Sequence, residues 1–77
     1  MKKLLEFIIE RLTGQKDIKI EEKKEDDNVY LEIFSDPENI GLIIGKNGNT
    51  IKAIQDVLRV RARLENVMVF VNVSEAK

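Results

Sequence analysis

The sequence predicts an α+β two-layer domain, a three-stranded mixed sheet covered on one face by three helices in the order α-β-β-α-α-β. Three observations predict it. Residues 2–13 and 49–63 carry apolar side chains at helical spacing. Residues 29–34 and 67–73 alternate with period two. A short glycine-bounded link at 45–48 joins a brief helix to the longer one. The last strand follows a helical crossover, so it is free to run parallel to residues 29–34.

In the first helix Leu4, Leu5, Ile8, Ile9 and Leu12 form the apolar stripe, with Phe7 off it. Gly14 suits the C′ position that ends the helix. The expectation is that this helix packs on its own sheet rather than on a partner. Residues 17–25 alternate weakly, with Ile18 and Ile20 on one face, and run into Glu21-Glu22-Lys23-Lys24-Glu25. That charge suits an edge strand, where it discourages pairing with other chains. Asp26-Asp27-Asn28 reads as a turn. In the next strand Val29, Leu31 and Ile33 point one way and Tyr30, Glu32 and Phe34 the other.

Ser35-Asp36-Pro37-Glu38 is a helix start: Ser35 or Asp36 caps, Pro37 takes the first position, and Glu38 favours the positive end. This helix runs about two turns, to Ile43 or Ile44. Gly41 inside it implies close approach by a neighbouring helix or by a ligand backbone. The long helix is expected to be capped by Asn49 or Thr50. Its apolar row is Ala53, Val57, Val60 and Leu64, with Ile54 and Leu58 beside it; Lys52, Asp56, Arg59 and Arg63 lie opposite. Glu65-Asn66 is a tight turn. Val67, Val69, Val71 and Val73 then share a face of the last strand, and Ser74 to Lys77 form a polar tail. The uncovered sheet face would expose Tyr30, Phe34, Met68 and Phe70, a candidate protein interface.

Composition narrows the function. The 77 residues suffice for one domain, residues 1–77, with a small core. Neither Cys nor His is present, which removes disulfides, the commonest nucleophile, the commonest general base and the commonest zinc ligands. The acidic residues cluster in a charged strand and turn rather than around an apolar pocket. The expectation is a non-enzyme with no metal and no cofactor. Met1 to Leu5 briefly imitates a signal peptide, but Glu6 and Glu10 interrupt it and no small-residue cleavage site follows. No stretch reaches the length of a membrane span. A soluble cytoplasmic protein is expected. Net charge is −1, unevenly spread: residues 1–39 hold 7 Lys/Arg against 11 Asp/Glu, and residues 40–77 hold 6 against 3.

The basic half contains the glycine link, Ile43-Ile44-Gly45-Lys46-Asn47-Gly48-Asn49-Thr50-Ile51. Gly45 and Gly48 leave backbone N–H groups approachable. The start of the next helix offers unpaired N–H groups and a partial positive charge to a phosphate. Lys46 adds a full charge there, and Lys52 lies one turn beyond, within reach of the same phosphate. Arg59 and Arg63 are farther along, on what reads as a solvated face. The loop therefore suits a grip on the backbone of a single-stranded nucleic acid. It fits neither the nucleotide-binding P-loop nor the dinucleotide-binding glycine pattern.

Strand, short helix, Ile-Ile-Gly-Lys-Asn-Gly-Asn-Thr-Ile, helix and strand together resemble a K-homology (KH) domain. The preceding helix and strand match its type II order. Size, the lysine-containing loop and near-complete coverage are most similar to the KhpA-like group of stand-alone bacterial KH domains. The resemblance implies that about four single-stranded nucleotides lie in a narrow cleft clamped by the loop. It implies that Gly45 and Gly48 permit backbone approach and that Lys46 and Asn47 contact phosphates. Ile44 and Ile51 would floor the cleft, with Ile40 and Gly41 on the preceding helix and an opposite wall from the last strand. Asn49 stands where such chains often carry a basic residue, and no stacking aromatic is placed in the cleft. Modest, salt-sensitive affinity with weak base preference is therefore expected. The family also implies a role in post-transcriptional control or ribosome-linked RNA handling. Its implied partners are single-stranded RNA, with single-stranded DNA left open, and a second copy or a KH protein of the KhpB/Jag type. The alternative reading is a protein-interaction module that keeps this fold and binds little nucleic acid.

Overall fold

The computed structural model describes every residue except Asp17 and Lys77. Its elements are α1 (Lys2–Thr13), β1 (Lys19–Glu25), β2 (Asn28–Ser35), α2 (Pro37–Ile44), a single 3₁₀ turn (Lys46–Gly48), α3 (Asn49–Leu64) and β3 (Met68–Glu75). The sheet order is β1-β2-β3, with β1 antiparallel and β3 parallel to the central β2. This is the α+β architecture, element order and mixed sheet expected from the sequence.

Registry explains which strand carries the core. Ile20, Ile33 and Val73 lie side by side, as do Lys24, Val29 and Val69. On central β2, Val29, Leu31 and Ile33 are buried; on edge β3, Val69, Val71 and Val73 are only half-buried. Leu5 and Ile9 of α1, Ile43 of α2, and Ile54, Leu58 and Ala62 of α3 complete the buried set. α1 packs on β1 and α2, so it serves its own sheet. Gly14 ends it in the left-handed region (φ 74°), its N–H donating to the Glu10 carbonyl at 2.8 Å.

Several boundaries and faces differ from the sequence reading. β1 starts at Lys19; Ile18 precedes it yet still packs against the core. The proposed start at Asp17 lies outside the described residues. β3 extends through Ser74 and Glu75, which the sequence assigned to a polar tail: Ser74 Oγ donates to Glu32 Oε2 at 2.6 Å, and the Ala76 N–H donates to the Ser35 carbonyl. Val67 falls just outside the strand.

The larger correction concerns α3. Val57, Val60 and Leu64, expected to form its main apolar row, are 50%, 59% and 77% exposed, and Ala53 is exposed too. The helix is rolled so that Ile54, Leu58 and Ala62 face the sheet. Apolar residues span both rows, so periodicity locates the stripe without its centre. Ala62 reads as a weak apolar position in the sequence, but its small side chain suits a helix lying close over β3.

The open face of the sheet carries Tyr30, Phe34, Met68 and Phe70, as the alternation required. Tyr30 and Phe70 are register partners and stack with centroids 5.2 Å apart.

Candidate nucleic-acid interface

The site begins with the cap of α2. Asp36 adopts an extended backbone and its Oδ1 accepts from the Asn39 N–H at 2.9 Å, with Pro37 next in line. Of the two capping candidates, Asp36 is the one used; Ser35 ends β2, buried. This cap sets the start of a helix eight residues long, whose far end delivers the loop.

Gly45 closes α2, its N–H donating to the Gly41 carbonyl at 2.9 Å. Its φ of 75° and ψ of 177° lie in a region essentially confined to glycine. A Cβ there would collide with the Thr50 side chain and come 3.0 Å from the Thr50 nitrogen. Asn47 (φ 57°) and Gly48 (φ 74°) follow in the left-handed region, and the Gly48 N–H returns to the Gly45 carbonyl at 3.2 Å. Asparagine is among the few residues that tolerate that region, so Asn47 has a conformational reason to be here besides any contact it makes.

Gly48 is the N-cap of α3, and no side chain caps the helix. The expected caps, Asn49 and Thr50, lie inside the first turn instead. Asn49 donates its N–H to the Lys46 carbonyl. With the reversal made by two successive left-handed residues, Asn49 is already helical (φ −68°, ψ −36°) and not in the extended conformation a capping side chain requires. The helix start is thus left without side-chain capping beside an exposed Lys46.

The remaining predicted residues distribute as follows. Ile40 and Ile51 are half-buried; Ile51 packs against the core. Ile44 is 37% exposed, one turn from Ile40 on the same side of α2. Lys46, Asn47 and Lys52 are exposed, and Gly45 and Gly48 are half-buried. A Cβ at Gly41 would meet nothing within 4 Å, so no neighbouring helix requires that glycine. From Ile40 to Lys52 there are two lysines and no acidic residue. α2, the loop and the first turn of α3 therefore bring the nine residues into one continuous segment, apolar on α2 and cationic at the loop and just beyond.

Leu42 is 51% exposed, on a part of α2 the sequence reading did not single out. In Ile40-Gly41-Leu42-Ile43-Ile44 only Ile43 is fully buried. The signal was present in the length of the helix: two turns on a sheet cannot hide four large apolar side chains on one face.

A family model for the KH domain of KhpA/KhpB matches residues 2–73. The chain belongs to the KhpA/KhpB KH-domain family. Among curated relatives, a protein of Clostridium perfringens is 35% identical over 74 residues, covering 95% of this chain and 99% of its own length. One of Clostridium acetobutylicum is 36% identical with the same coverage. One of Chlamydia pneumoniae is 36% identical over 78 residues, covering all of both chains. Each of these relatives is named RNA-binding protein KhpA. The KH family membership fits the topology: the Gly45–Gly48 loop lies between α2 and α3, with the parallel strand β3 following. No helix among the described residues is long and apolar enough to cross a membrane, and no group of three or more carboxylates, cysteines or histidines is placed to hold a metal ion.

Proposed function

We propose that this chain is a single KH domain, residues 1–77, that binds single-stranded RNA in the cytoplasm and has no catalytic activity. The Gly45–Gly48 loop clamps the sugar-phosphate backbone. Lys46 and Lys52 supply charge, the uncapped start of α3 supplies N–H donors, and Ile40, Gly41, Ile44 and Ile51 lie under the bases. The observation that carries this reading is the loop itself: two positive-φ glycines and an exposed lysine in a stretch without acidic residues. The naming of the relatives as RNA-binding proteins supports it. Amide shift mapping by NMR with a uridine oligomer tests it. Perturbations should concentrate between Ile40 and Lys52; perturbations confined to the open sheet face would reject it. A matched deoxyuridine oligomer measures preference for RNA over DNA. The biological role that follows is post-transcriptional regulation or ribosome-associated RNA handling.

A second reading, that the domain also pairs with another KH chain, rests on a separate observation. The exposed row Ala53, Val57, Val60 and Leu64 repeats at intervals of four, three and four, the spacing of a helix-pairing seam. Beside it Leu4, Phe7, Ile8 and Leu12 of α1 help line an apolar depression with Ala53 and Val57. A second copy or a KhpB/Jag-type partner would cover this surface. Sedimentation of a Val60→Glu variant tests it: an unchanged mass relative to wild type removes the seam from consideration. A Phe70→Ser variant asks the same question of the sheet face.

A further inference from the structure

Arg59 and Arg63 read in the sequence as a solvated face, but the structure gives them a different setting. With Ala62 of α3 and Val67, Met68 and Val69 at the start of β3, they line a cavity of about 220 Å³. The half-covered edge strand accounts for it: the valines of β3 are only partly hidden beneath α3, leaving an apolar wall beside two guanidinium groups. Four other surface cavities differ in chemistry. One is lined by Glu6 and Glu22 among others, one by Glu21 and Glu75, one by Glu32, and one has no charged residue. The Arg59–Arg63 cavity joins cations to apolar walls and has no carboxylate in its lining.

Charge supports the same reading. Arg61, which points elsewhere, is neutralised by Glu65 at 2.7 Å. Arg59 reaches Asp56 only at 3.4 Å, between exposed side chains, and Arg63 has no ion pair among the described residues. Lys52, Arg59 and Arg63 follow one row of α3, so cationic positions lead from the loop to the cavity, interrupted by Asp56. At the helical rise, Arg59 lies about 15 Å and Arg63 about 21 Å from the start of α3.

We propose that this cavity is a nucleotide subsite separate from the loop, taking one base of a single-stranded RNA whose backbone the loop holds. Its size is below the ~300 Å³ of sites for drug-sized ligands and suits a single flat heterocycle. A planar guanidinium stacks on a base or pairs with its phosphate, and Ala62, Val67 and Val69 offer the apolar contact. The proposal rests on the loop reading and adds length: strands that reach the cavity bind more tightly than strands filling the loop alone.

The test is fluorescence anisotropy with uridine oligomers of about four and about ten nucleotides. It compares wild type, the Arg59→Gln/Arg63→Gln variant and the Lys46→Asp/Asn47→Asp variant. Wild type should prefer the longer oligomer, and the arginine variant should lose at least about fivefold on it, the low end for one stacked base. The same variant should match wild type on the shorter oligomer, and its salt slope on the longer one should fall by about 0.7 per arginine. Equal affinity of wild type and arginine variant for the longer oligomer overturns the subsite while leaving the loop reading intact. Equal losses on both lengths also overturn it. Long-strand binding that survives the loop variant but not the arginine variant would retain the cavity and reject the loop. No binding by folded wild type rejects both. A thermal melt of each variant, followed by circular dichroism, separates lost contacts from lost structure.

Discussion

Gly45 and Thr50 are locked together across the loop: a Cβ on Gly45 would come within 2.6 Å of the Thr50 Cβ, overlapping its hydroxyl as well. Gly48, three residues on, has nothing within 4 Å of the equivalent position. The two glycines of the motif therefore differ in kind. Gly45 is required by both backbone conformation and space, Gly48 by conformation alone.

Gly45→Ala should accordingly cost more than Gly48→Ala. The Gly48 substitution carries the left-handed penalty, about 1–2 kcal/mol. The Gly45 substitution adds a steric clash to a strained conformation that itself costs about 1–3 kcal/mol. Adding Thr50→Ala should restore only part of the loss, because the Thr50 backbone nitrogen remains 3.0 Å away. Urea denaturation of the four variants checks the order.

Gly41 separates stability from binding. It lies inside α2 with open space around it, so Gly41→Ala should stabilise the protein by about 0.4–1 kcal/mol. If RNA passes over α2, the same methyl group weakens RNA binding. Denaturation and RNA titration of one variant give both numbers; a gain in stability with unchanged affinity would remove Gly41 from the binding surface.

The roll of α3 predicts opposite responses from neighbouring residues. Leu58→Ala should cost about 2–5 kcal/mol as a buried truncation. Val60→Ala, at an exposed position, should stay within about 0.5 kcal/mol for the isolated chain. Comparable losses at both positions, measured at a concentration where the protein is monomeric, would contradict the observed helix orientation.

The turn after α3 has one pH signature. The Arg61 guanidinium donates to the Glu65 carboxylate and holds its pKa below the ordinary value. A depressed carboxyl contributes its stability above the unfolded-state pKa and loses it as pH falls through the folded-state value. The pair is solvent-exposed, so its effect on the melt should be small. NMR titration of Arg61→Gln should move the Glu65 midpoint upward; an unchanged midpoint would contradict the hydrogen bond.

Most of the fold was legible because local signals and sheet pattern agreed. Gly14, Asp36 and Pro37 mark helix ends, and Val29, Leu31 and Ile33 alternate cleanly on the central strand. The missed features depend on tertiary context. The roll of α3 is set by how the helix meets β2 and β3, and a helix apolar on two adjacent rows does not encode it. The cap of α3 was missed because Gly48 takes that role through backbone conformation, without the side-chain bond that Asn49 or Thr50 suggested. At the candidate site, glycine spacing and lysine placement were visible in the sequence. The exposure of Ile44 and Leu42 was not, since a core helix and a cleft-lining helix share one apolar composition. The Arg59–Arg63 cavity joins residues of α3 to the strand beyond it, a juxtaposition that spacing within the helix does not reveal.

The central claim is that the Gly45–Gly48 loop holds the backbone of single-stranded RNA. The most direct measurement is the affinity of a uridine oligomer for wild type and for the Lys46→Asp/Asn47→Asp variant at two salt concentrations. The account predicts saturable wild-type binding that weakens with salt and is lost in a variant that melts like wild type. Binding of equal strength by the two proteins, or no binding by folded wild type, would contradict it.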